Sequence, residues 1–178
     1  MSTLEVLDKE FKLYINQEEI ESVINDIANQ INEEYKDKNP LFLVMLNGAF
    51  MFASQLFKEL TIDCETSFVK YSTYSGTQST CEVKELIGLN SNLKGRNVII
   101  VEDIIDSGFT MNCLLQKLEA MEVESVKIAT MLFKPNAFKF NYKIDYIGMN
   151  IGNEFIVGYG LDYNEHGRNY ASIYKVVE

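Results

Sequence analysis

Val98-Ile-Ile-Val-Glu-Asp-Ile-Ile-Asp-Ser-Gly-Phe-Thr110 decides how this chain is read. An apolar run, Asn97 to Glu102, predicts a buried strand that ends in two adjacent acids. A short loop follows with a third acid, a Ser, a Gly and a Thr, and a helix is predicted from Thr110 to Met121. Ligands of open α/β sheets bind at the carboxyl ends of the strands. A Gly-containing loop entering a helix offers backbone N–H groups and a positive dipole end to an anion. Ser107 and Thr110 add hydroxyl donors. The simpler alternative is that Asp106, Ser107 and Thr110 only cap the helix. Carboxylates beside a phosphate repel it unless they bind something else. Glu102 and Asp103 are suited to vicinal hydroxyls or to a hydrated Mg²⁺. Phosphate, hydroxyls and Mg²⁺ together suggest a phosphorylated sugar. The stretch lacks the G-x-x-x-x-G-K-[ST] spacing of a Walker loop.

The rest of the chain supplies the frame. Ile20, Val23, Ile24, Ile27 and Ile31 lie at helix spacing, which predicts an amphipathic helix over 18–35, stopped by Asn39-Pro40. Leu41 to Leu46 reads as a buried strand, Asn47-Gly48 as a tight turn and Ala49 to Leu60 as a helix. Residues 62–72 alternate as a strand does, 73–82 read as a mobile loop, and Val126 to Phe133 forms a further strand. Short strands fit Tyr146 to Met149 and Phe155 to Tyr159. Buried strands alternating with helices indicate an α/β fold with a parallel sheet. The tail after residue 134, richer in Tyr, Asn and Gly, reads as a subregion over the sheet's edge.

At 178 residues, 47% of them hydrophobic and 24% charged, the chain is read as one domain with a real core. Its 16 Lys and Arg against 26 Asp and Glu give a net charge of −10. That field repels polyanions, so a nucleic-acid or membrane-surface binder is disfavoured. Met1 to Glu10 has no basic start and no apolar stretch of a secretory signal, which leads to a cytoplasmic expectation. The longest apolar run, Leu41 to Leu46, is far short of a membrane span. Cys64, Cys81 and Cys113 have no metal-type spacing and are read as reduced thiols, two of them buried.

Four segments, in order, resemble the type I phosphoribosyltransferases, in particular their hypoxanthine(-guanine) branch. Val101 to Thr110 resembles the phosphoribosyl pyrophosphate signature. Leu46-Asn-Gly-Ala-Phe-Met-Phe52 resembles the pyrophosphate loop, and Ser72-Thr-Tyr-Ser-Gly-Thr-Gln-Ser-Thr80 the flexible catalytic loop. Phe155-Ile-Val-Gly-Tyr-Gly-Leu-Asp-Tyr-Asn-Glu-His-Gly-Arg168 resembles the purine-binding segment. The resemblance implies a parallel-sheet core at about 36–135, with flanking helices. It also implies a small hood, built from the N-terminal segment and about 136–178.

The implied activity is purine salvage: Mg²⁺-dependent transfer of the phosphoribosyl group from phosphoribosyl pyrophosphate to hypoxanthine, or to guanine or xanthine. Asp106 corresponds to the acid/base facing the purine's imidazole nitrogen. Asp106, Ser107, Gly108, Phe109 and Thr110 form the 5′-phosphate cradle, and Glu102 and Asp103 hold the ribose hydroxyls, directly or through Mg²⁺. Asn47, Gly48, Thr73, Tyr74 and Arg168 fall to the pyrophosphate, with a cis peptide expected at Leu46–Asn47. Relatives often carry Lys where Asn47 stands, and Asn supplies no charge; Thr73 stands where a Ser is usual.

On the purine side, Phe155 corresponds to the stacking ring, which could equally be core packing, and Ile156 to the residue whose backbone reads the base edge. Lys134 corresponds to the donor to a 6-oxo group, and Asp162 to a further Mg²⁺ contact near the base. His166 is given no role. Relatives form homodimers or homotetramers. Two other readings stand beside this one. The first is a non-catalytic regulatory relative that binds nucleotide and nucleic acid, which the charge and Asp106 disfavour. The second is a Mg²⁺-dependent phosphatase, whose usual D-x-D pair is here the D-x-x-D of Asp103 and Asp106.

Overall fold

The computed structural model describes residues 3–73, 83–87 and 92–177. In chain order the elements are β1 (Thr3–Val6), β2 (Lys9–Ile15), α1 (Gln17–Glu34), β3 (Leu41–Leu46), α2 (Phe50–Glu59), β4 (Glu65–Thr73) and β5 (Val83–Ile87). They continue with β6 (Asn97–Ile105), α3 (Phe109–Ala120), β7 (Ser125–Phe133), β8 (Tyr146–Asn150), β9 (Ile156–Val157) and β10 (Ile173–Val176).

A six-stranded sheet has the order β5-β4-β3-β6-β7-β8. Its pairs β3–β4, β3–β6, β6–β7 and β7–β8 are parallel, and β5 is an antiparallel edge strand. This is the parallel α/β architecture expected. β3 from Leu41 to Met45 and β6 from Val98 to Val101 are buried, because helices cover both faces of a parallel sheet. The helix expected over 18–35 is α1. Asn16 and Glu19 close a capping box at its start, and Ile20, Ile24, Ile27 and Ile31 bury one stripe against the sheet.

A second, four-stranded sheet, β1-β2-β10-β9, sits apart from the first. It joins the N-terminal segment to the C-terminal one; its strands β1, β2 and β10 had no strand reading in the sequence. Phe11 and Val157 make its small core with Val6. β8, from the stretch assigned to the hood, pairs instead with β7 at the edge of the large sheet.

Three differences matter for the site. First, the strand expected to end at Glu102 runs on to Ile105. Ile104 and Ile105 keep pairing with Leu132 and Phe133 of β7 after the β3 pairing has stopped at Val101. Second, only Ile156 and Val157 of the strand expected at 155–159 are extended, because Gly158, Tyr159 and Gly160 all take positive φ and turn the chain. Third, Cys113 is buried and disulfide-bonded, which corrects its reading as a reduced thiol, while Cys64 is free. The loop expected at 73–82 lies outside the described residues apart from Thr73, the last residue of β4. No helix among the described residues is long and apolar enough to cross a membrane.

Candidate functional site

The strand order reverses direction between β3 and β6. From β3 the chain next pairs outward to β4, whereas from β6 it proceeds the other way to β7 and β8. Such a switch point leaves a crevice at the carboxyl ends of the two strands. Here the two strands also part early. Their pairing ends at Val44 with Val101, and Glu102 and Asp103 follow with no β3 neighbour. A cavity of about 260 Å³ fills the gap, lined by Leu46 and Gly48 from one side and Glu102, Asp103 and residues 106–111 from the other.

The floor is set by glycine. After β3 the chain makes a cis peptide at Leu46–Asn47 and passes Gly48 directly over Asp103. A Cβ on Gly48 would lie 1.6 Å from Asp103 Oδ2. Gly160, at φ +95°, packs against the same turn from the hood side, where a Cβ would lie 2.0 Å from the Gly48 carbonyl oxygen. The backbones of Gly48 and Gly160 and the Asp103 carboxylate therefore converge on one point.

The wall is the N-terminus of α3. Its cap is Gly108 in the left-handed conformation (φ 81°), and no side chain caps it. Ser107 Oγ accepts only a long contact, 3.5 Å, from the Phe109 N–H. The reading of Asp106, Ser107 and Thr110 as mere helix caps is thus not what the backbone does; no side chain caps this helix start, and residues 106–111 line the cavity. Tyr142 OH donates to the Gly108 carbonyl at 2.8 Å, fixing the turn from behind. Burial, helped by the Glu102 charge, holds the Tyr142 phenol well above its usual range, so it remains a donor.

Glu102 and Asp103 sit side by side on this wall. Burial, and then the Asp103 charge, pushes the Glu102 carboxyl well above the ordinary carboxylate range. Two acids in such a position call for a cation or for hydroxyl donors. Among the described residues, no cluster of three or more acids, His or Cys is arranged to hold a metal alone. That is compatible with Mg²⁺, which usually takes one or two carboxylates and fills its shell with water and ligand phosphate. Asp162, the third expected Mg²⁺ contact, is engaged elsewhere. Its Oδ1 lies 2.8 Å from Arg168 and its Oδ2 accepts the Glu165 N–H.

Asp106 is more than half exposed at the mouth, and Lys134 lies beside it with Nζ 3.5 Å from Asp106 Oδ2. Lys134 is only 8% exposed and also donates to the Glu154 carbonyl at 3.1 Å. That contact ties it to the residue before Phe155. Phe155 is 43% exposed, so its ring is not core packing. Phe11 and Tyr163 flank it at 6.0 and 5.5 Å, leaving the remaining surface available to a flat ligand. Ile156 is buried and its strand pairs with β10. Arg168 donates to the Gly160 carbonyl at 2.9 Å and pairs with Asp162 and Glu165. Asn47 lies in the cis-peptide turn, where Lys70 Nζ donates to its Oδ1. Thr73 ends β4, and Tyr74 lies outside the described residues. His166 is exposed in a turn with Tyr163.

Three contributors were missed in the sequence: Tyr142, Gly160 and Lys70. Gly160 stood in the quoted Phe155–Arg168 segment. Tyr142 lies in an irregular stretch whose spacing carries no signal, and Lys70 looked like one charge of an alternating strand.

The model of the phosphoribosyl transferase domain matches residues 14–164. The chain is 41% identical over 173 residues to a hypoxanthine-guanine phosphoribosyltransferase of Lactococcus lactis, covering 95% of this chain and 94% of the relative. It is 39% identical over 167 residues to a bifunctional protein of Listeria monocytogenes named TilS/HprT. That match covers 92% of this chain but only 26% of the longer protein, so the chain spans about a quarter of its length. Among solved structures, a hypoxanthine-guanine phosphoribosyltransferase of Bacillus anthracis superposes with a TM-score of 0.88 at 34% identity, covering 94% of this chain and 97% of that one.

Proposed function

The chain belongs to the phosphoribosyl transferase domain family, and on that premise we propose that it transfers the phosphoribosyl group of phosphoribosyl pyrophosphate to hypoxanthine, with guanine and xanthine as further bases. The products are inosine monophosphate (or its guanine or xanthine counterpart) and pyrophosphate. The observation that carries this reading is the meeting of a helix N-terminus and an acid–lysine pair at the edge of one crevice. An uncapped helix N-terminus at Gly108 faces the cavity, and Asp106 at its edge lies 3.5 Å from the Lys134 ammonium beside an exposed Phe155 ring.

Each residue then has a task. The α3 N–H groups, with Ser107 and Thr110, hold the 5′-phosphate through donors and a favourable dipole, so no basic patch is needed. Glu102 and Asp103 hold the ribose hydroxyls and are the carboxylates that would hold Mg²⁺. When bound, the metal would offset charge on the departing pyrophosphate. Backbone N–H groups of Asn47 and Gly48, and Arg168, meet the same leaving group. Thr73 and Tyr74 belong to the loop assigned to cover it. Asp162 is the third carboxylate that would help to hold Mg²⁺ near the base. Phe155 stacks on the base and the Ile156 backbone reads its edge. Lys134 donates to the 6-oxo oxygen, which selects against a 6-amino purine because an ammonium accepts nothing. Asp106 then takes or returns the imidazole proton. Assembly as a homodimer or homotetramer, and a cytoplasmic location, belong to the same reading.

The test is direct. The protein is mixed with Mg²⁺, phosphoribosyl pyrophosphate and each of hypoxanthine, guanine, xanthine and adenine, and nucleotide formation is followed. Product from at least one oxopurine and none from adenine is expected. In Asp106→Asn, kcat should fall about 10²–10⁴-fold. No product from any oxopurine would sink the proposal, and full activity of the Asn variant would remove Asp106 from its role.

A further inference from the structure

Among the described residues, the acids of the crevice outnumber the cations that reach it. Glu102, Asp103, Asp106, Asp162 and Glu165 all border it or its hood side, yet the two cations assigned to ligand are already answered by carboxylates. Lys134 faces Asp106, and Arg168 is held between Asp162 and Glu165. Lys70 differs. It is half-buried on β4, opposite Leu46 in the parallel register, at a point where the pairing of β4 with β5 shifts between Lys70 and Tyr71. Such a bulge re-aims a side chain. The Lys70 ammonium points to the cis-peptide turn and donates to Asn47 Oδ1 at 3.1 Å, a neutral amide rather than a carboxylate. Its charge also reaches Glu165, whose carboxyl is held low chiefly by Arg168 and to a lesser degree by Lys70. Lys70 is therefore on the same side of the turn as the Arg168 cluster.

We propose that Lys70 is a further pyrophosphate-binding residue: from the neighbouring strand it brings to the Leu46–Asn47–Gly48 turn a positive charge that Asn47 itself does not carry. This rests on the crevice being a phosphoribosyl pyrophosphate site, as proposed above. The Asn47 amide acts as the tether. It holds the ammonium at the turn in the free protein, and among the described residues the ammonium's other N–H groups remain for phosphate oxygens. A charge-assisted contact of this kind exceeds a neutral one by about a factor of two in strength.

The experiment measures binding rather than turnover, so the two readings can fail separately. Inorganic pyrophosphate with Mg²⁺ is titrated calorimetrically into the parent protein, Lys70→Met and Lys70→Arg. Inosine monophosphate, which has a phosphate but no pyrophosphate, is titrated in parallel. Lys70→Met should bind pyrophosphate about tenfold more weakly, with a shallower salt dependence, and bind inosine monophosphate as the parent does. Lys70→Arg, which keeps the charge, should stay within about threefold of the parent. Unchanged pyrophosphate binding in Lys70→Met overturns the proposal. So does equal weakening of both ligands, or an Arg variant as weak as the Met one. A parent protein that binds pyrophosphate through Lys70 yet makes no nucleotide would overturn the transferase reading and leave Lys70 in place.

Discussion

Gly48→Ala separates the chemistry of the crevice from the stability of the fold. The added Cβ would lie 1.6 Å from Asp103 Oδ2 and 2.4 Å from its carboxyl carbon. Ordinary contact distances are roughly 3.5 Å, so the carboxylate has to retreat by roughly 2 Å. It is the free end of a short side chain beside a cavity and can rotate away, at a cost of about 0.5–1.5 kcal/mol for an off-rotamer position. For a chain of this size that lowers the melting temperature by only about 1–6 °C. Function responds differently. A misplacement of about 1 Å can cost about 10²-fold in rate, and Asp103 is assigned to the ribose and Mg²⁺. The expected result is a fall of about 10²-fold or more in kcat/KM for phosphoribosyl pyrophosphate, with a nearly parental melting curve. Steady-state kinetics at saturating hypoxanthine, with calorimetric melting of the same preparations, give both numbers. Parental kcat/KM would show that the position of Asp103 does not matter to the reaction. A melting point lower by more than about 10 °C would show that the turn, not the carboxylate, gives way.

Gly160→Ala makes the useful contrast. Its Cβ would meet backbone, the Gly48 carbonyl at 2.0 Å, from a φ of +95°. Stability should therefore fall more than in Gly48→Ala, by over about 3 kcal/mol, and a smaller drop in a denaturant titration would contradict the packing. Tyr142→Phe removes the 2.8 Å hydrogen bond to the Gly108 carbonyl. A loss of about 0.5–1.5 kcal/mol is expected, together with weaker phosphoribosyl pyrophosphate binding by isothermal titration; unchanged binding would mean that the α3 turn holds itself. Glu102→Gln tests the electrostatics by pH. Burial, and then Asp103, raises the Glu102 carboxyl in the folded protein above its ordinary value of 4.5. The proton is thus held more tightly folded than unfolded. The stability this contributes is complete below the unfolded pKa and is lost as pH rises through the raised one. In Mg²⁺-free buffer the Gln variant should match the parent in acid and become the more stable of the two as pH rises. Melting curves across that range check it, and a difference independent of pH would count against the raised carboxyl.

Much of this architecture was legible in the sequence because it depends on local pattern. The isoleucines of α1, the unbroken apolar runs of β3 and β6 and the acid-rich turn before α3 each declare themselves within about a dozen residues. The hood declared itself poorly. β1 and β2 bury few side chains, so their alternation is faint, and β10 gains its meaning only by pairing with β2 at the other end of the chain. The length of β6 was misjudged for a related reason. Charged side chains at Glu102 and Asp103 look like the end of a strand, but one edge of that strand still pairs with β7 while the other opens onto the crevice.

Hydrophobic period and turn chemistry act between near neighbours, so the parallel α/β frame, the glycine-containing turn before α3 and the acids in it could be read from the residues alone. Tertiary structure decided what surrounds that turn. It placed Gly48 against Asp103, Gly160 against Gly48, Lys134 beside Asp106, Tyr142 behind Gly108 and Lys70 at Asn47. Those partners are between 23 and 112 residues apart in the chain, and no local propensity encodes such pairings. They follow from where the sheet reverses its winding and which loops that reversal brings together.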